Sequence, residues 1–333
     1  MKKFKKIIDN TQNFIHSGWS NAVSVFSDGN PSGVDLFVCL EQELNYSYNK
    51  FNISEELIKS EKFIAFFHDP IKVGNYYGGY RSFPLDQKIL ELLQKKCIGI
   101  FFLSISQCKD FKKMFKENKI DIICETLIHP IQNIKYHFNP KKFIESSSKK
   151  ITQSGFQLRK LSSIFTTQVP PNYEKNIVPW NETVFKRLKT ELINKKIIRK
   201  GYNKSVKNFI SNSNVKLINE LSNDDYLSLY EDNIMFVDLN DVTACNLVLD
   251  CISTNCPIIL NRLPANVEYL GKNYPLFFEK SEDVFDLIAD ESLIISAHEY
   301  LKNLSKEKFT IDSFKKSFVN SEIYSTINSL LLN

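Results

Sequence analysis

In the first part of the chain short apolar runs stand between polar stretches: Val34–Leu40 (VDLFVCL), Phe63–Phe67 (FIAFF), Ile98–Leu103 (IGIFFL) and Asp121–Ile128 (DIICETLI). Runs of this length, bounded by turn residues, predict strands buried on both faces. Between the later ones the spacing turns helical. Leu85–Cys97 carries Ile89, Leu90, Leu92 and Leu93, and Ser106–Asn118 opens on a serine able to cap a helix. Strands alternating with helices predict a parallel sheet wound on both faces.

The pattern returns in the second half, which is organised around Ile234–Phe278. That stretch reads as a strand, a loop ending near Thr243, a helix over Ala244–Thr254, a strand at Pro257–Leu260, a polar loop and a strand at Pro275–Phe278. Upstream, Thr166–Trp180 holds several prolines without periodicity and predicts a loop, Glu182–Lys200 an amphipathic helix, Val206–Ile210 part of another, and Val215–Ile218 a strand. Asn223, Asp224 and Asp225 cap the next helix, and Asp283–Ala289, Glu291–Leu304 and a helical tail to Asn333 follow. The serine-rich, charged Asn139–Lys150 separates the two repeats as a linker. The expected fold is α/β: two Rossmann-like, doubly wound parallel-sheet domains, residues 1–148 and 149–308, facing each other across a cleft, with residues 309–333 as a further helix.

Composition narrows the function classes. With 333 residues, 43% of them hydrophobic, the chain can bury a core in each of two domains. A net charge of +5, with both signs mixed along the chain, gives no basis for nucleic-acid binding. Seven cysteines without a C-x-x-C pair fit a reducing compartment, and Cys245, Cys251 and Cys256, with no histidine nearby in sequence, read as small core residues before zinc ligands. No apolar run reaches membrane-spanning length and no signal peptide is visible, so a cytoplasmic location is expected. The basic start Met1–Ile8 leaves two readings open, an ordinary first strand or helix end and a peripheral contact with an anionic inner-membrane surface.

The helix over Ala244–Thr254 carries candidate chemistry. Thr243, Asn246 and Asp250 share one face of an otherwise apolar helix, which leaves two readings open: a start, capped by Thr243, that suits a phosphate with Asp250 placed to accept ribose hydroxyls, or a core helix whose polar residues satisfy neighbouring backbone. His68, followed by Asp69 and Pro70 just past a buried strand, is placed to face the cleft. Gly74–Arg81 combines Tyr76, Tyr77, Tyr80 and Arg81 with glycine hinges, a composition suited to stacking on an acceptor sugar or to an ordinary surface loop.

The order strand, acidic loop, Asn-bearing helix, C-I-x-x-N-x-P, aliphatic strand, N-x-L-P-A-x-V-E-Y-L-G-x-x-Y-P resembles the nucleotide-sugar half of GT-B glycosyltransferases. Within them it is similar to the retaining group, like glycosyltransferase family 4, whose signature is a glutamate, seven residues and a second glutamate. The second glutamate falls on Asp250 and the first on Val242, so that Asp241 or Asn246 would have to substitute. The resemblance also implies that Gly155, Arg159 and Lys160 grip the diphosphate of the donor, that His68 contacts the donor sugar, and that the last helix crosses back to the first domain. It implies Asp241, Thr243, Asn246 and Asp250 as further donor-binding residues and Arg159, Lys160 and His68 as the catalytic set.

The expected function is transfer of a sugar from a nucleotide diphosphate to a glycan, lipid-linked or protein acceptor, in polysaccharide biosynthesis, with retention of configuration. No cofactor is expected, and no Asp-x-Asp motif exists to hold a metal at the donor. If the reaction inverts instead, an Asp or Glu in the first half must serve as base. A nucleotide-sugar 2-epimerase, or a non-catalytic sugar-binding descendant of a transferase, are the alternatives.

Overall fold

A computed structural model describes residues 3–9, 19–28, 33–44, 53–74, 80–83, 85–155, 158–200 and 203–330. The chain divides into two units, the first made of Met1–Val73, Arg81–Gln132 and Ser305–Asn333, the second of Gly74–Tyr80 and Asn133–Leu304.

In the first unit β1 (Ile7–Ile8), β2 (Val34–Phe37), β3 (Lys62–Phe67), β4 (Cys97–Phe102) and β5 (Ile123–Thr126) form a parallel sheet in that order. Every residue of β3 after Lys62 is buried, because both faces of the sheet are covered. Phe67 and Phe102 point to one face and meet Phe111 of the helix Ile105–Glu117, the Phe102 and Phe111 rings stacking at 4.6 Å. Phe66 and Phe101 point to the other face, where Phe101 packs 5.4 Å from Phe318 of the helix Ile311–Val319. The cap of the helix Ile105–Glu117 is Ser104, which accepts from the Gln107 N–H, rather than Ser106 as the sequence pattern indicates.

The terminal segment is therefore part of the first unit. Its last helix, Glu322–Leu330, begins on the carboxylate of Glu125, which accepts from the N–H groups of Glu322 (3.1 Å) and Ile323 (3.0 Å) and so opposes the positive end of the helix dipole. Ile323 then covers Gly99 so closely that a Cβ there would lie 2.5 Å from Ile323 Cγ1. At the other end of the chain Phe4 and Ile8 are buried, and Lys6 reaches Glu56 at 2.6 Å. Among the apolar residues interleaved with the basic start, Phe4 and Ile8 are in the core and Ile7 is half-buried. No described helix is long and apolar enough to cross a membrane.

The second unit holds β6 (Lys149–Ser154), β7 (Tyr173–Val178), β8 (Val215–Leu217), β9 (Asn233–Val237), β10 (Ile258–Asn261) and β11 (Phe277–Phe278), all parallel, in the order β8-β7-β6-β9-β10-β11. β7 lies inside the stretch expected to be a loop. Its prolines, Pro170, Pro171 and Pro179, flank the strand instead of interrupting it, so they stop the ladder only at its ends. The chain winds outward from β6 in one direction and, after β8, returns to add β9 on the other side. The topological switch point falls between β6 and β9, and open parallel sheets bind ligands at such a point, outside the carboxyl ends of the strands.

Candidate functional site

The loops leaving β6, β9 and β10 are tied to one another at that switch point. Gly155 follows β6 with φ +72° and donates its N–H to Val178 O at 2.8 Å. The chain then pairs antiparallel with the loop after β9: Lys160 N–H donates to Asp238 O at 2.6 Å and Asn240 N–H to Leu158 O at 2.8 Å. Asn261, at the end of β10, clamps Leu239 from both sides, its Oδ1 accepting from the Leu239 N–H (2.9 Å) and its Nδ2 donating to Leu239 O (2.8 Å). Three strand ends thus hold one pair of loops together.

On this platform Arg159 lies over Gly155: a Cβ on residue 155 would fall 2.9 Å from the Arg159 Cζ. Glycine is required there twice, for the left-handed φ and for the guanidinium. Arg159 Nη2 also approaches Cys245 Sγ at 3.7 Å, and its carbonyl accepts from Arg187 Nη2 at 2.6 Å, which brings a second, buried guanidinium behind the loop. Lys160 directs its ammonium to Asp238 Oδ1 at 2.7 Å, and Ser163 Oγ donates to Asp238 Oδ2 at 2.8 Å. Asp238 is a residue that pattern reading passed over. Its place directly after the apolar run Ile234–Val237 is the signal that marks a strand end.

The helix after β9 begins at Asn246, and its cap is Cys245, with no side-chain hydrogen bond to the first turn. The expected cap Thr243 lies buried two residues earlier, because the loop turns into the helix only after Cys245. Asn246 is exposed on the first turn, and the Cys245 side chain caps none of that turn's N–H groups. Asp241 accepts from the Val242 N–H at 2.7 Å, in the loop.

Asp250 is buried, 4% exposed, and its Oδ2 accepts from Tyr230 Oη at 3.0 Å. Tyr230 and Tyr226 share a hydrogen bond at 3.1 Å, and Ser154 Oγ donates to Tyr226 Oη at 3.0 Å. A polar chain therefore runs through the interior from Asp250 to Ser154, the residue before Gly155. Burial, with the Asp250 charge, pushes the Tyr226 phenol up to about 12 and raises that of Tyr230 well above its ordinary value, so both stay protonated donors. A ribose hydroxyl has to enter this buried pair to reach Asp250.

His68 belongs to the first unit, immediately after β3. Its Nδ1 lies 2.8 Å from Glu41 Oε1, its N–H donates to Glu41 Oε2 at 3.3 Å, and its ring stands edge-on to Trp19 at 4.9 Å. Burial by itself depresses His68 and lifts Glu41; the contact between them reverses both, holding His68 above and Glu41 below its ordinary value. Tyr76 and Tyr77 lie outside the described residues, and of Tyr80 and Arg81 only the backbone, in the short strand Tyr80–Ser82, is described. The cysteines Cys245, Cys251 and Cys256 are buried, and Cys256 donates to Asn233 O at 3.1 Å, as core thiols do.

Two parallel-sheet α/β domains, one with its switch point at the carboxyl edge, define the class: the fold of the GT-B glycosyltransferases. Three solved structures of that fold are similar to this chain. A UDP-forming α,α-trehalose-phosphate synthase from Burkholderia vietnamiensis shares 10% identity over 82% of this chain and 69% of its own, with a TM-score of 0.56. A sucrose-phosphate synthase from Thermosynechococcus elongatus shares 8% over 89% and 74%, at 0.56. HepE from Anabaena, solved in complex with UDP and glucose, shares 9% over 89% and 78%, at 0.59. No protein-family model and no curated protein sequence matches the chain. At such identity the likeness is one of fold, and chemistry has to be argued from residues.

Proposed function

We propose that this protein is a glycosyltransferase that takes a sugar from a nucleotide diphosphate and passes it to a glycan, lipid-linked or protein acceptor. The observation that carries the reading is Arg159, which lies over Gly155 at the switch point of a parallel sheet and approaches Cys245, the residue before the helix start at Asn246. Departure of a nucleoside diphosphate places negative charge on its outer phosphate, and fixed positive groups lower that barrier most when they are held before the reaction begins. Arg159, locked over Gly155, and the first-turn N–H groups at Asn246 meet that need. Lys160, drawn toward Asp238, contributes less charge and more loop order. Asp241 and Asp250 border the same loops and are assigned to the donor. His68 is assigned to the donor sugar.

The reading includes retention of configuration, from the resemblance to the retaining group, and no metal at the diphosphate, whose charge Arg159 and the helix start would balance. The test is calorimetric titration of the full chain with UDP, GDP and dTDP, then with the sugar nucleotides of whichever binds. Binding no tighter with Mg²⁺ than without, at least about tenfold weaker in Arg159→Ala, is expected from loss of a charged hydrogen-bonding partner. The anomeric configuration of the product, read by NMR, decides retention. A parent chain that binds no nucleoside diphosphate overturns the reading. A second reading, a sugar-nucleotide-binding protein without turnover, is favoured by Val242 at the position of the first signature glutamate and by the closed Asp250–Tyr230 pair. Tight binding with no consumption of donor, across acceptors, identifies it.

A further inference from the structure

The first unit gathers ligand atoms at the carboxyl edge of its own sheet. Asp9 follows β1, Cys39 and Glu41 follow β2, and His68 and Asp69 follow β3, so three neighbouring parallel strands deliver a thiol, an imidazole and three carboxylates to one edge. Cys39 Sγ and His68 Nδ1 lie 2.7 and 2.8 Å from Glu41 Oε1, and the three ligand atoms all fall within 4.8 Å of one another. The charges of Asp69 and Asp9 act on His68 as well, so the group around the imidazole is acidic in sum.

We infer that Cys39, Glu41 and His68 form a binding site for one divalent cation of the zinc class, completed by solvent in the fourth position. The donor set decides the metal. Sulfur, nitrogen and oxygen together suit Zn²⁺, whereas Mg²⁺ and Ca²⁺ prefer oxygen alone. Three protein ligands and one open position is the pattern of a reactive rather than a purely structural zinc. The supports are regular elements: Cys39 and Glu41 sit at the start of the helix Leu40–Glu43, His68 directly follows a strand buried from Phe63 onward, and the Glu41 carboxylate also holds the His68 main chain. Trp19 walls the imidazole, while His68, with a side chain 23% exposed against 9% for Glu41, gives the ion a route in.

With bonds of about 2.0–2.3 Å a tetrahedral zinc separates its ligand atoms by roughly 3.3–3.6 Å, so the three side chains open slightly as the ion replaces the protons they share. The balance is plain: the Cys39 thiol releases its proton to solvent as the sulfur–metal bond forms, and the proton that Nδ1 shares with Glu41 likewise leaves to solvent as the Nδ1 lone pair binds the metal. Nothing is oxidised. Nε2 of His68 then carries the remaining hydrogen, as a donor. The sequence shows no metal motif here because Cys39 and His68 are far apart along the chain. The inference stands apart from the donor-site reading and uses none of its residues except His68.

The test uses the full chain, stripped with chelator, dialysed, and titrated with CoCl₂ and then ZnCl₂. One cobalt per chain, a near-ultraviolet thiolate-to-cobalt band displaced by zinc, and a zinc-dependent rise in melting temperature are expected. Cys39→Ser abolishes the band, His68→Gln weakens binding at least about tenfold, and Cys108→Ser keeps both. A parent without band or melting shift, or a Cys39→Ser variant that retains the band, overturns the proposal. Should Cys39→Ser fail to fold, anomalous diffraction from zinc-soaked parent crystals decides: an ion elsewhere, or none, refutes the site.

Discussion

Lys160 and Asp238 meet twice, through backbone (N–H to carbonyl, 2.6 Å) and through side chains (Nζ to Oδ1, 2.7 Å). The pair joins the loop after β6 to the loop after β9, and the carboxylate in it is buried while the ammonium is 37% exposed. Neighbouring cations in sequence, Arg159 and Lys160, therefore do different work.

Lys160→Ala leaves the Asp238 carboxylate buried with only Ser163 as a side-chain donor, and is expected to cost about 1–3 kcal/mol of stability by urea unfolding. Arg159→Ala, over the same loop, is expected to change stability by less than about 1 kcal/mol and to weaken diphosphate binding more. Equal effects of the two variants on both measurements would contradict this division.

Tyr230→Phe removes the hydroxyl that donates to Asp250 and leaves a buried carboxylate short of a partner. A loss of about 1–3 kcal/mol is expected, with an unchanged denaturant slope. Ser154→Ala, at the far end of the same chain, should cost less, since Tyr226 keeps Tyr230 as its neighbour.

Gly99→Ala sets a methyl 2.5 Å from Ile323 Cγ1 and 2.9 Å from the Ile123 carbonyl. Overpacking of this kind costs about 1–3 kcal/mol, and the last helix should loosen first, seen as faster amide exchange over Glu322–Leu330. The double variant Gly99→Ala/Ile323→Ala should recover part of the loss beyond additivity. The Ile123 carbonyl, which cannot move away, limits the rescue.

His129 gives stability a defined pH dependence. Its Nδ1 lies 2.7 Å from the Pro130 carbonyl, it is 3% exposed, and burial, with the His68 charge also opposing protonation, pulls it down to about 4 from 6.5. The unfolded chain takes up a proton there between those values and the folded chain does not, so the contribution is full above pH about 6.5 and is lost as pH falls through about 4. The loss amounts to about 3 kcal/mol between pH 7 and 4 on the linkage of 1.36 kcal/mol per unit. His129→Phe should flatten that part of the profile in denaturant titrations at both pH values. An unchanged slope would assign the acid sensitivity elsewhere.

What the sequence determined by itself is the class of fold. Phe63–Phe67 and Ile234–Val237 are apolar on both faces, and a covered parallel sheet is what uses such strands, so their alternation with helices left little freedom. Glycine at 155 and a basic pair soon after were legible as well, because a left-handed turn next to cations is a local matter. The rest was decided in three dimensions. The strand Tyr173–Val178 was hidden by its prolines, whose effect depends on whether they fall inside or at the ends of a ladder that forms with β6, elsewhere in the chain. Thr243 looked like a cap because capping rules see four residues at a time, whereas the loop that delays the helix to Asn246 is held by Asn261 on another strand. Asp250 on a polar stripe pointed toward a ligand until Tyr230 was found against it. Asp238 with Lys160, and Cys39 with Glu41 and His68, meet only because parallel strands bring their carboxyl ends to one edge. Local sequence sets the period and polarity of each segment; the partner of a buried charge is set by which strands become neighbours.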